Sequence, residues 1–315
     1  MKIVLSPKHW WSTWPWLALC LVTITTPLPV NGAGIVCSAN SIKIVDEQPK
    51  IWPWQEYATL NTTPPHLQIN ATGQPLAPGL ILLTPNGPSV KEAAPIIMTD
   101  AGDLVWGGPL SKSSNLRVQT LFDKPVITYW QDTGTNDPLP AHGYGKVIIL
   151  DTSYKQINTV CPQLNLTGAS SFCNADLHES FITSDNTMLI TAYNITTADL
   201  RNVGGPENGY VLESLAVEVD ITTGEILFMW SPLTHVPINT THWPLLKSGY
   251  SKSNPFDWFH MNSIQAFEGH YLINSRHTWT VYLVDRSGKI VWQIDGQNGG
   301  DFGSIPAGGN FVSPS

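Results

Sequence analysis

The chain has 315 residues, enough to bury a sizeable core in one large or two ordinary domains. Its 13 Trp, 25 Gly and 25 Pro stand beside only 13% charged residues, which predicts many short strands joined by turns and an all-β fold. The formal charge of −8 and the lack of a dense Lys/Arg run argue against nucleic acid as a partner.

Residues 1–33 read as an export signal. Lys2 and Lys8 precede a short apolar run from Trp16 to Ile24, and small residues follow near Gly32 and Ala33. The run is about ten residues long, short of the roughly 20 that span a bilayer. Trp10, Trp11, Trp14 and Trp16 keep a membrane-interface anchor as the minor alternative. Five sequons, at Asn61, Asn70, Asn165, Asn194 and Asn239, fit a secreted glycoprotein. Cys20 lies in the signal, and Cys161 with Cys173 is the natural disulfide pair of the remainder. Cys37 is then unpaired or has its partner in a missing part, and no CxxC pair suggests zinc or another metal.

Residues 34–90 are rich in Pro and polar residues and read as a covering segment that feeds a first strand. Trp52, Trp54, Tyr57 and the run Leu80 to Leu83 are its expected core contacts. A weak repeat then occupies residues 91–315: Asp100 to Trp106, Asp220 to Trp230 and Asp285 to Trp292 each run from an Asp through a Gly-containing turn into a strand ending in Trp. Asp151 to Val160 keeps the rhythm without the Gly or the Trp. One hairpin cannot bury its apolar face alone, and four-stranded blades stacked around an axis account for copies roughly 50 to 65 residues apart. A β-sandwich with recurring hairpins is the alternative.

Three contexts carry the candidate chemistry: Asp176-Leu177-His178-Glu179-Ser180, Asp257-Trp258-Phe259-His260-Met261-Asn262 and Ser275-Arg276-His277-Thr278. In the first, Asp176 or Glu179 is in reach to fix the tautomer of His178. In the second, Trp258 and Phe259 are either core residues or, with Asn262, the wall of an aryl pocket. Arg276 reads as part of a strand from Tyr271 to Val284, whose alternation sends it to the side opposite His277. A guanidinium there must pair with a carboxylate such as Glu179 or Asp257, or face a wet channel.

These contexts resemble the arylsulfate sulfotransferase family of β-propellers, most closely its fungal branch, over roughly residues 90 to 300. The resemblance implies a six-bladed ring, of which this chain supplies about four blades. It also implies that His178, His260 and Arg276 are sulfuryl-binding and acid-base residues, acting on a small aromatic or sulfated molecule without a cofactor. The family's nucleophile is a further His from a later blade, and no such segment precedes Ser315. The expectation is therefore transfer from an aryl sulfate to a phenol, impaired for want of that His. A partner or oligomer supplying the missing part, or a propeller that binds an aromatic or anionic small molecule without turnover, are the other expectations.

Overall fold

The structure is a computed structural model. It describes residues 34–38, 41–45, 50–70, 73, 77–134, 141–166, 172–297 and 299–303. The expected export signal, with Cys20, lies outside them. The chain divides into two compact units, one ending at Leu110 and one running from Ser111.

In the first unit a hairpin pairs β1 (Gly34–Ser38) with β2 (Ser41–Val45). A three-stranded antiparallel sheet follows, made of β3 (Ile81–Leu83), β4 (Ile96–Met98) and β5 (Leu104–Gly107). Its core is Ala94, Ile96 and Met98, packed by Leu67, Leu83 and Leu104. Trp54, expected as a core contact, is exposed instead, with the Lys91 ammonium 4.0 Å over its ring. The Pro-rich stretch is fixed by polar bonds instead, since Gln55 Nε2 donates to the carbonyls of Pro65 and Gly102.

The second unit holds three four-stranded antiparallel sheets, each with its strands in sequence order. The first is β6 (Ser113–Leu121), β7 (Lys124–Asp132), β8 (Gly145–Leu150) and β9 (Gln156–Val160). The second is β10 (Ser180–Ile182), β11 (Thr187–Ala198), β12 (Gly209–Asp220) and β13 (Ile226–Trp230). The third is β14 (Met261–Phe267), β15 (His270–Ser275), β16 (Thr280–Val284) and β17 (Ile290–Asp295).

The middle sheet is buried on both faces. Met188, Ile190 and Ala192 join Leu215, Val217 and Val219 in a core shared with Trp130, Val147 and Ile149 of the first sheet. The alternate residues Leu189 and Ala216 face a second core with Met261, Ile264, Tyr271, Ile273 and Tyr282 of the third. A strand with two covered faces has no solvent side to present, which is why the first seven residues of β11, Thr187 to Tyr193, are all buried and mostly apolar. Such face-to-face stacking of four-stranded meanders is the construction of a partial β-propeller, as expected from the repeat.

The repeat itself marks one turn per sheet. Asp100, Asp151, Asp220 and Asp285 all fall at or next to the last hairpin of their sheet. Three use their Oδ1 alike: Asp151 accepts from Ser153 and Lys155 N–H, Asp220 from Thr222 and Thr223, and Asp285 from Ser287 and Lys289. The left-handed position that Gly224 and Gly288 fill after Asp220 and Asp285 is taken after Asp151 by Tyr154, at a φ of 62°.

The expected disulfide is present: Cys161 and Cys173 are bonded, closing a loop whose ends are 12 residues apart. Chain-entropy bookkeeping gives such a link about 3 kcal/mol. Cys173→Ser is therefore expected to lower the denaturant midpoint, and equal midpoints would contradict it.

Candidate active site

In an antiparallel four-stranded sheet, the start of the first strand and the connection between the second and third lie at the same edge. Asp176 and His178 enter the second sheet at that edge, and Asp257 and His260 enter the third. His142 lies in the β7–β8 connection and His277 in the β15–β16 turn, again at that edge. Topology alone thus gathers residues far apart in sequence.

The four imidazoles form one cluster. Ring centroids are 5.2 Å apart for His142 and His178, 4.8 Å for His142 and His260, 5.0 Å for His178 and His260, and 4.7 Å for His260 and His277. Tyr193 closes one side, its ring 4.3 Å from His142 and its hydroxyl donating to the Met261 carbonyl.

Two buried carboxylates orient the rings. His178 Nδ1 lies 2.5 Å from Asp176 Oδ2, and His260 Nδ1 2.5 Å from Asp257 Oδ2. Because each carboxylate can only accept, Nδ1 carries the proton in the neutral ring and Nε2 keeps the lone pair. His277 has the same tautomer for another reason: its Nδ1 donates to the Asp257 carbonyl at 2.5 Å. Gly143 N–H and His178 N–H also donate to Asp176, so this carboxylate is held from several sides.

His142 sits between the pairs. Its Nε2 is 3.3 Å from Asp257 Oδ2, and its Nδ1 is 3.8 Å from Asp176 Oδ1, beyond a hydrogen bond. Burial pulls its pKa down, but the two carboxylates outweigh burial and hold it at about 9. Burial pushes Asp176 and Asp257 upward, and their His partners overcome this and leave both well below the usual carboxylate range. His260 is lowered, chiefly by burial, and His277 falls to about 4 for the same reason. At neutral pH His142 is therefore the cation, while His260 and His277 are neutral.

The same shifts set a stability profile. The raised pKa of His142 contributes stability that is complete below its ordinary value near 6.5 and is lost as pH rises toward about 9. The lowered carboxylates contribute above their ordinary range and lose this only in strong acid. Melting temperature is expected to fall between pH 6.5 and pH 9, and His142→Gln to flatten that fall. A flat wild-type profile would contradict the assignment.

Backbone strain lies at the same place. His260 has φ of 53°, rare for a non-glycine residue, and the β14–β15 register shifts between Met261 and Ser263 just after it. The conformation is held from outside, because Arg276 N–H donates to the His260 carbonyl and His277 N–H to that of Phe259.

Arg276 differs from its expected position. It lies in the turn that joins β15 and β16, is exposed, and is in no strand. The turn breaks the alternation that pointed His277 away, and His277 packs beside His260. Trp258 and Phe259 are fully buried in the second core, the former of the two readings given for them, and Asn262 is half-buried at the bulge. An exposed aromatic at the cluster is Trp243, 49% exposed, stacked on His277 at 4.6 Å with 5° between planes.

Two trios, His142 with Asp257 and His260 and His142 with Asp176 and His178, have ligand-type atoms within 4.8 Å of one another. These are the groups that already bond to each other or share the His142 charge. A cation held in either trio would meet the positive charge of His142 and compete for the carboxylate of one Asp–His pair, whereas proton and anion chemistry uses these groups as they stand.

Residues 117–312 match the family model Arylsulfotran_2, arylsulfotransferase (ASST). The chain belongs to the arylsulfotransferase family. No curated protein matches it as a relative. The arylsulfotransferase match runs from within β6 through the three sheets of the second unit and includes every residue of the histidine cluster.

Proposed function

We propose that the protein transfers a sulfuryl group from an aryl sulfate to a phenolic acceptor at the histidine cluster. The observation that carries this reading is the pair of Asp-backed imidazoles, His178 and His260, whose ring centroids lie 5.0 Å apart. Sulfuryl transfer needs an in-line nucleophile, a proton donor for the departing phenol oxygen and fixed donors around the sulfuryl oxygens. His260, neutral with its lone pair on Nε2, attacks sulfur. The S–O bond to the aryl group breaks, and the departing oxygen takes the electron pair and a proton from protonated His178, the more accessible of the two. The acceptor phenol then returns its proton to His178 and takes the sulfuryl group from His260. Arg276, exposed next to His277, and the cation His142 supply positive charge, and the open face of Trp243 receives an aryl ring.

Turnover is expected to be impaired, because the burial that lowers the His260 pKa also weakens its Nε2 as a nucleophile. One group must be neutral and the other protonated, so kcat/KM is expected to follow a bell-shaped pH profile. Phenol release from an aryl sulfate, followed across pH, tests this; a flat profile would contradict it. A second reading, binding of an aromatic anion without turnover, is favoured by one observation: His260 Nε2 is buried and has no hydrogen-bond partner.

The protein is further proposed to be exported and N-glycosylated. Its disulfide fits an oxidising compartment, and Asn61, Asn70, Asn165 and Asn239 are exposed. Asn194 is half-buried in β11 with its Nδ2 3.2 Å from Glu213. Glycopeptide mapping of secreted protein is expected to find sugar at exposed sequons and none at Asn194. A glycan at Asn194 would contradict the strand assignment's consequence.

A further inference from the structure

Two rings of the cluster, His142 and His277, take no part in the transfer steps carried by His178 and His260, and His142 is the more deeply enclosed. His142 is 1% exposed and lies between two carboxylates from segments that enter different sheets. It enters from the β7–β8 connection, whereas Asp176 and His178 precede β10 and Asp257 and His260 precede β14. Three sheets of the second unit therefore meet on one imidazole. We propose that His142 is a positioning residue that joins the Asp176–His178 and Asp257–His260 pairs into a single unit, so that a proton gained or lost in one pair is felt in the other.

The geometry supports a shared role. Asp257 Oδ2 receives both His260 Nδ1 and His142 Nε2, so the two rings compete for one oxygen. Asp176 presents Oδ2 to His178 and Oδ1 toward His142. When His178 becomes an imidazolium, its hold on Asp176 tightens, and His142 is driven toward Asp257 and away from the first pair. His260 then shares its carboxylate more evenly and is harder to protonate. The remaining groups that face His142 are Tyr193 from β11 and, behind His260, His277 from the β15–β16 turn; Tyr193 is neutral, since burial raises its hydroxyl well above the ordinary range. The arrangement favours one protonated and one neutral ring among the two that carry Nε2, which is what a nucleophile beside an acid requires. This holds for any group the site transfers.

The test is imidazole nitrogen NMR on the full chain, following His178 and His260 across pH. Deprotonation of His142 is expected to move the signals of both residues in the same pH window; movement of only one would overturn the proposal. In His142→Gln the His260 midpoint is expected to rise, because a neighbouring positive charge is gone. Asp257→Asn, which does not touch His178, is expected to lower the His178 midpoint when His142 is present and by less than half as much when it is Gln. Equal shifts in both backgrounds would show that His142 only fills space. The wild-type titration decides the matter even where a variant does not fold.

Discussion

Replacement of His260 by Ala is expected to lower aryl sulfate turnover about a thousandfold or more while leaving the protein folded. The loss is large because the nucleophile of a two-step transfer cannot be shared out among its neighbours, and groups acting as one unit fail together. The fold survives because Asp257 keeps a second partner in His142 and the backbone at 260 is held by the Arg276 N–H. His260→Gln is the sharper variant: its amide nitrogen retains a donor for Asp257 but offers no imidazole lone pair. Single-turnover rates with a saturating donor would report the difference, together with a melting curve. Undiminished turnover in either variant would remove His260 from the chemistry.

Trp130→Ala is expected to cost about 3–5 kcal/mol and to disturb the site from a distance. Trp130 is fully buried in the core between the first and second sheets. Its Nε1 donates to the Ala175 carbonyl at 2.8 Å, so the truncation leaves a cavity and also takes one of two donors, the other being Gly145 N–H, from the carbonyl directly before Asp176. Gly145 shows how tightly the indole is held, since a Cβ at that position would lie 2.4 Å from the ring and from the Gln131 carbonyl. Denaturant unfolding measures the loss. Trp130→Phe is expected to keep much of the packing but not the bond, and a Trp130→Ala loss below about 1 kcal/mol would mean that this core does not carry the Asp176 segment.

The fold was legible in the chain because its signals are local. An Asx-type Asp, a turn and an alternating strand recur once per sheet, and each copy is read without knowing its neighbours. The same local logic found Asp176 beside His178 and placed Cys161 with Cys173. It misplaced Arg276 and His277, because a four-residue turn with polar and aromatic residues at 276–279 reads as uninterrupted strand. Asp257 was weighed only as a partner for Arg276, yet it holds His260 and His142.

His142 left no local signal at all. It lies at the end of a connection whose preceding residues, 135–140, are outside the described set, and it is 115 residues from Asp257. Only the rule that the first-strand start and the second-to-third connection share an edge would have pointed to it, and that rule needs the sheet boundaries first. Trp243 was hidden for the same reason, since its stack with His277 joins a long connection to a turn in the next sheet. Sequence periodicity thus gives the sheets, whereas the site is assembled from the connections between strands.

The central claim is that the Asp257-backed imidazole accepts the sulfuryl group. Incubating the protein with a sulfur-radiolabelled aryl sulfate and no acceptor, quenching in alkali and mapping the labelled peptide tests it directly. The account predicts label on His260, absent in His260→Ala and discharged when a phenol is added. Label on a different residue, or phenol release with no labelled histidine, would contradict it.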